Sequence, residues 1–305
     1  MYIIKLISIA AILTCMCSAC NQPETSQSET TGLYDSDAFK SYWYAGKAEV
    51  NAYNLDQSRY GENRPGKAIL IFVTEAFSKS KHVKLDHPEA AGDDKVTVMK
   101  LNYTKNFVTG IYPYSMMLSV FTPVSRSQYP NTLKVTMGSQ EWCGQVFSQM
   151  NLVNDRYDIS GYSYFEQEGN TQFNTEKIFL EDELFNLIRL DPDHIPLGKI
   201  KILPGLFFTR LKHEDLKPVE ATLSKENKDH ETIYKVQFEE RLLTISVAND
   251  FPYKILGWEE EFVEGGKKMY TKATLGKTLY TDYWSKNKNE YIFLRDSLGL
   301  SPTNY

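Results

Sequence analysis

Cysteine is scarce in this chain of 305 residues. There are four, and three of them, Cys15, Cys17 and Cys20, fall within the first twenty positions. Only Cys143 lies beyond, so no disulfide forms within the body and its stability rests on its core. Paired Cys or His at ligand spacing is missing, which removes a structural zinc site. A basic stripe is missing as well: 34 Lys and Arg face 39 Asp and Glu, for a net charge of −5. That balance excludes a nucleic-acid partner and a polybasic membrane patch. No G-x-S-x-G, H-E-x-x-H or calcium-loop pattern occurs. Gly276-Lys277-Thr278 ends like a phosphate loop, but Thr271 stands where the upstream glycine is required. No cofactor and no metal are expected.

Long apolar runs are also absent. The longest, Leu6 to Met16, follows Lys5 and falls short of the roughly 20 residues that span a bilayer. It closes on Cys17-Ser18-Ala19-Cys20, small residues directly before a cysteine. The expectation is a lipoprotein signal peptide over 1–19, cleaved before Cys20, with lipid on the Cys20 thiol. A plain secretory signal and an uncleaved anchor are the alternatives. Residues 20–33 are polar and low in complexity and read as a flexible tether. The expected address is the cell envelope, lipid-anchored at the outer membrane. The expected partners are the membrane through that anchor and a lipid, a glycan or an envelope protein.

What the body has is aromatic and β-branched residues. Twenty Tyr and a 42% hydrophobic content suffice for a sizeable core. Val96 to Tyr103, Ser115 to Val124 and Leu133 to Phe147 are apolar runs punctuated by Gly110, Pro113, Pro123 and Tyr129-Pro130-Asn131, the pattern of consecutive antiparallel strands. Upstream, Pro65-Gly66 reads as the turn of a hairpin before the strand Lys67 to Phe77. Between Glu176 and Leu190, Leu180, Leu184, Leu187 and Ile188 share one helical face, with Asp182, Asn186 and Arg189 elsewhere. Cleaner alternation follows in Val219–Leu223, Tyr234–Phe238 and Leu243–Val247, and Gly265-Gly266 turns another hairpin. Tyr280, Trp284, Tyr291, Leu294 and Leu298 fall at helical spacing, with an interruption near Asn287-Lys288-Asn289.

The expected fold is therefore mainly β, with antiparallel meander sheets, sandwich-like or half-barrel-like. Roughly eleven or twelve strands divide into a first half over 34–175 and a second over 191–305. A linking helix over 176–190 and a C-terminal helix complete it, and 34–305 as one domain is the alternative. Continuously apolar strands in the first half need cover on both faces, and the linking helix is available to supply it.

Candidate chemistry is thin. In an unbroken strand Cys143 shares the face of Leu133, Val135 and Met137, so it reads as a buried small hydrophobe and not as a nucleophile. Glu141 on that face needs a partner such as Arg59 or Arg64. Asp191-Pro192-Asp193-His194 reads as a turn after a helix rather than a metal site. Tyr42-Trp43-Tyr44, Tyr112-Pro113-Tyr114, Tyr162 and Tyr164 serve either as core anchors or as a platform for sugar rings. A ligand site is expected where the linking helix faces the central strands, near Tyr112, Tyr114, Glu141 and Trp142. The expected role is non-catalytic, binding or scaffolding. Glycan binding is one alternative, and hydrolysis by paired carboxylates or Cys143 is another.

The segments YWYAGKAEVNAYNLDQSRYGE, TGIYPYSMM, SQEWCGQVF, SYFEQEG and IPLGKIKILP resemble a family of lipoproteins common in Bacteroidota and often labelled septum formation inhibitor Maf. The resemblance covers nearly all of the body, and the S-x-E-W-C-G run is its most recognisable part. It implies export and lipid anchoring and brings no activity with it. The pyrophosphatase activity attached to the Maf label needs an S-x-S-P-R-R phosphate-binding motif on an α/β fold. This chain has Pro123-Val124-Ser125-Arg126-Ser127 at its nearest approach.

Overall fold

The computed structural model describes residues 33–300, so the expected signal peptide and Cys20 lie outside the described residues. A short helix α1 (Asp37–Trp43) opens the body, its first turn capped by the Ser36 side chain. The strands of the first half are β1 (Ala48–Arg59), β2 (Glu62–Ser78), β3 (Val83–Lys84), β4 (Lys95–Thr109), β5 (Tyr112–Pro123), β6 (Lys134–Glu141), β7 (Gly144–Val153), β8 (Arg156–Ser163) and β9 (Thr171–Glu176). The chain then forms β10 (Phe179–Leu180), α2 (Leu184–Leu190), β11 (Gly198–Leu203) and α3 (Leu206–Lys212). It ends with β12 (Val219–Asn227), β13 (Glu231–Gln237), β14 (Arg241–Ala248), β15 (Ile255–Glu264), β16 (Lys267–Thr281) and α4 (Phe293–Ser297).

The mainly β expectation holds, but the two halves share one mostly antiparallel sheet. Its order is β10-β11-β12-β13-β14-β15-β16-β1-β2-β4-β5-β6-β7-β8-β9, with β3 beside β2. The first strand therefore sits in the middle, hydrogen-bonded to β2 on one side and β16 on the other. The two edge strands, β9 and β10, are consecutive in the chain with only Lys177 and Ile178 between them. Three peptide units reach at most about 11 Å. The sheet therefore curls until its edges nearly meet, and the concave face encloses α2 and α3.

Two local expectations need correction. The first hairpin turns at Tyr60-Gly61, both with positive φ, the geometry of a two-residue hairpin loop. Pro65 and Gly66 lie inside β2, opposite Asp56 and Leu55. A Cβ on Gly66 would stand 2.5 Å from the Asn106 carbonyl oxygen of β4, so this glycine serves close strand approach and not a turn. The second correction concerns the linking helix. Glu176 belongs to β9, Phe179 and Leu180 form β10, and helical structure starts with a 3-10 turn at Glu181.

Every residue of α2 is buried, so it has no wet face. Asn186 donates to the carbonyls of Met99 and Val120 at 3.1 and 3.3 Å. Arg189 pairs with Glu49. The polar positions that a sequence pattern assigns to solvent are instead satisfied by the sheet around them. Cover for the outer face of β1 and β2 comes from the C-terminal segment: Leu298 and Leu300 pack on Ala48, Val50, Ala52 and Val73. The expected interruption of the C-terminal helix is present, as separate 3-10 turns at Tyr283–Ser285 and Asn289–Tyr291 before α4. Tyr280, read as part of that helix, lies instead in β16, where the strand paired with β1 runs on to Thr281. No described helix is long and apolar enough to cross a membrane.

Candidate functional site

Inside the curl, α3 stands over the concave face of β6 to β9. Pro204 and Gly205 end β11, and Leu206, Phe207, Arg210 and Leu211 then recur at helical spacing. Two acidic side chains hold the start of this helix: Glu181 accepts from the Gly205 N–H at 2.9 Å and Asp182 from the Leu206 N–H at 3.1 Å. The helix ends at His213, in the left-handed region at φ 56°. That turn carries the His213 ring to the pocket rim.

Between α3 and the strands lies a pocket of about 590 Å³, within the range of small-molecule sites. Met137, Val146, Ile159 and Leu206 contribute its apolar wall, and Phe173 of the edge strand stands beside them. Strand alternation explains the wall. Val135, Met150, Ile159 and Phe173 are successive cross-strand partners and so share the inward face. The polar side is built around Glu168. Its carboxylate accepts from Ser163 Oγ at 2.6 Å and Arg210 Nη1 at 2.9 Å, and lies 2.7 Å from His213 Nδ1. Partial burial pushes the Glu168 carboxyl up, but the Ser163 and His213 hydrogen bonds and the Arg210 charge outweigh it and hold the group below the usual range. Arg210 Nε is buried and has no hydrogen-bond partner among the described residues. Glu214 and Asp215 also line the pocket, so its acidic groups outnumber its cations.

Behind α3 lies a chamber of about 40 Å³, sized for water and not for an organic ligand. Tyr103, Phe185, Phe207 and Trp258 wall it, and Lys105, Glu181, Asp182 and Glu260 reach into it. Arg241 bridges Glu181 and Glu260. Burial, reinforced by the Glu181 charge, pushes Asp182 up to about 8. Burial likewise lowers Lys105, whose Nζ donates to Gln57 Oε1 at 3.2 Å.

The residues expected to form the site do not line this pocket. Tyr114 is buried, stacked on Phe107 at 4.8 Å, and its hydroxyl meets Tyr60 and Arg59 at 3.0 and 3.3 Å. Tyr112 is half-buried beside it. Arg59 also lies 3.3 Å from His213 Nε2, so these tyrosines reach the pocket rim only through Arg59. Glu141 faces inward as expected, but its partner is the Cys143 N–H at 2.6 Å, not Arg59 or Arg64. Trp142 and Cys143 form the exposed turn between β6 and β7. The expected burial of Cys143 is thus wrong: the strand ends at Glu141, whose carboxylate closes the turn.

The geometry also bears on the catalytic alternatives. Glu141 pushes the Cys143 thiol up, first through a hydrogen bond and then through its charge, the opposite of what an attacking thiolate needs. Ser163 donates to Glu168 and not to His213, and His213 Nε2 faces Arg59, so no hydroxyl is paired with a free imidazole base. Glu181 and Glu260 are both tied to Arg241. His194 pairs with Asp191 at 2.6 Å in an exposed turn, and no group of three metal-ligating side chains occurs among the described residues. Comparisons with protein-family models, curated proteins and solved structures return no match for this chain.

Proposed function

We propose that this chain is a lipid-anchored envelope protein that holds a small amphiphilic molecule in the pocket between α3 and β6–β9, without transforming it. The supporting observation is the pocket itself, apolar along Met137, Val146 and Ile159 and polar around Glu168, Arg210 and His213. Glu168, Arg210 and His213 are bonded to one another rather than poised at a nucleophile. The excess of acidic groups favours a ligand whose polar end is uncharged or cationic. Tyr162, Phe173 and the hydroxyls of Ser148, Ser163 and Thr171 favour, as a second reading, a sugar ring as that polar end.

Native mass spectrometry of the protein extracted from envelopes tests the proposal. The expected spectrum contains a bound fraction heavier by one small amphiphile, lost in Ile159→Trp, which fills the apolar wall. A bound species that persists in a folded Ile159→Trp protein would place the ligand elsewhere.

A further inference from the structure

Alternate turns of the first half, β1–β2, β4–β5, β6–β7 and β8–β9, fall at one end of the sheet. The start of β2 lies beside the end of β4, the start of β5 beside the end of β6, and the start of β7 beside the end of β8. Four neighbouring tips therefore form an arc, and each carries one large exposed apolar side chain. Tyr60 is 54% exposed, Ile111 82%, Trp142 70% and Tyr164 73%. The tip of the β15–β16 hairpin at the same end bears Glu264 and Lys267 instead, and the β13–β14 tip bears Glu239 and Glu240.

Charge is sparse within the arc, where Glu166 of the 164–170 loop is the exposed carboxylate without an ion pair among the described residues. Arg64 pairs with Glu62 at 3.0 Å, and Glu141 turns its carboxylate inward to the Cys143 N–H. None of the four side chains lines the pocket or the chamber. The two ends of the described residues are also remote from the arc. The described chain begins against Ser127, which follows the far end of β5, about 40 Å from the tips at 3.3 Å per strand residue. Leu300 packs at the level of Ala48 to Ala52.

From these relations we infer that the arc Tyr60, Ile111, Trp142 and Tyr164 docks on the zwitterionic interface of a lipid bilayer. Tyr and Trp rings, apolar in body with one polar atom, settle at such interfaces. An arc of low charge suits a surface without net charge. Single side chains on separate tips suit a soft plane better than a protein partner, which requires well-packed anchor pockets. The contact is separate from the expected anchor at Cys20. It brings the bilayer to the loop 164–170, which supplies Gln167, Glu168 and Gly169 to the pocket.

The test uses the full chain with Cys20→Ala, so that no acyl group contributes, in flotation with phosphatidylcholine vesicles. The expected result is flotation, with Trp142 fluorescence quenched by brominated acyl chains. Partitioning should fall at least tenfold in Ile111→Asp/Trp142→Ala/Tyr164→Ala, whose positions are all exposed. Trp284→Ala/Phe293→Ala, exposed outside the arc, should float like the parent, and so should Ile159→Trp, which fills the pocket. Equal flotation of the triple variant and the parent would overturn the inference. So would binding confined to anionic vesicles, or a dimer that the triple variant abolishes without any vesicle binding.

Discussion

Arg189 of α2 lies 2.8 Å from Glu49 of β1, with both side chains fully buried. The two guanidinium nitrogens face the two carboxylate oxygens, and Tyr42 and Asn51 also donate to Glu49. This pair ties the central helix to the strand in the middle of the sheet. Removing one partner leaves the other charge buried and uncompensated. Glu49→Gln should destabilise the fold by about 3–5 kcal/mol, read from denaturant unfolding. Glu49→Gln/Arg189→Met should recover much of that loss. A single variant within about 0.5 kcal/mol of the parent would show that the pair is not anchoring α2.

The same pair sets the acid limit. Burial alone would push Glu49 up, but Arg189, with the hydrogen bonds of Tyr42 and Asn51, brings it to about 2. A carboxylate depressed in the fold adds stability above its unfolded pKa, and the contribution is lost as pH falls through the ordinary carboxylate range toward 2. The deficit of Glu49→Gln should therefore shrink between about pH 4.5 and 2. A deficit that is constant over that range would contradict this reading.

Asp182 carries the opposite sign. Because its folded pKa is raised to about 8, it costs stability progressively as pH rises from about 4 to about 8. Asp182→Asn keeps an oxygen for the Leu206 N–H. Its melting temperature should therefore exceed that of the parent by a margin that widens over this range. A margin that narrows with pH would show that the ionised form is the stable one.

Cys143 should react with thiol reagents in the native state, since it is exposed. Glu141 holds its thiol up, so Glu141→Gln should speed labelling at pH 7.5. Labelling that appears only on unfolding would return Cys143 to the core.

Strands were legible wherever one face is apolar and the other polar, as in β12 to β14, because alternation directly reports a half-wet sheet. Pro65-Gly66 misled because residues typical of turns also serve close strand approach. Asn186 and Arg189 misled because helical periodicity records what is polar, not whether another element satisfies it inside. The turn at Trp142-Cys143 carries no Gly or Asn and is held by the Glu141 carboxylate, a contact that local sequence does not encode. The pocket was harder still. Glu168, Arg210 and His213 are brought together by the curl of the sheet. The one available signal was Pro204-Gly205 followed by apolar residues at helical spacing, which marks α3.

The account rests on the pocket under α3, and the most direct measurement is the melting temperature of the purified protein against a panel of envelope lipids and saccharides. One amphiphile should raise the melting temperature in proportion to the logarithm of its concentration above its Kd. Ile159→Trp should remove that rise, whereas Trp142→Ala and Tyr112→Ala should leave it. A rise retained in Ile159→Trp and lost in Tyr112→Ala or Trp142→Ala would place the site at the strand tips and contradict the account.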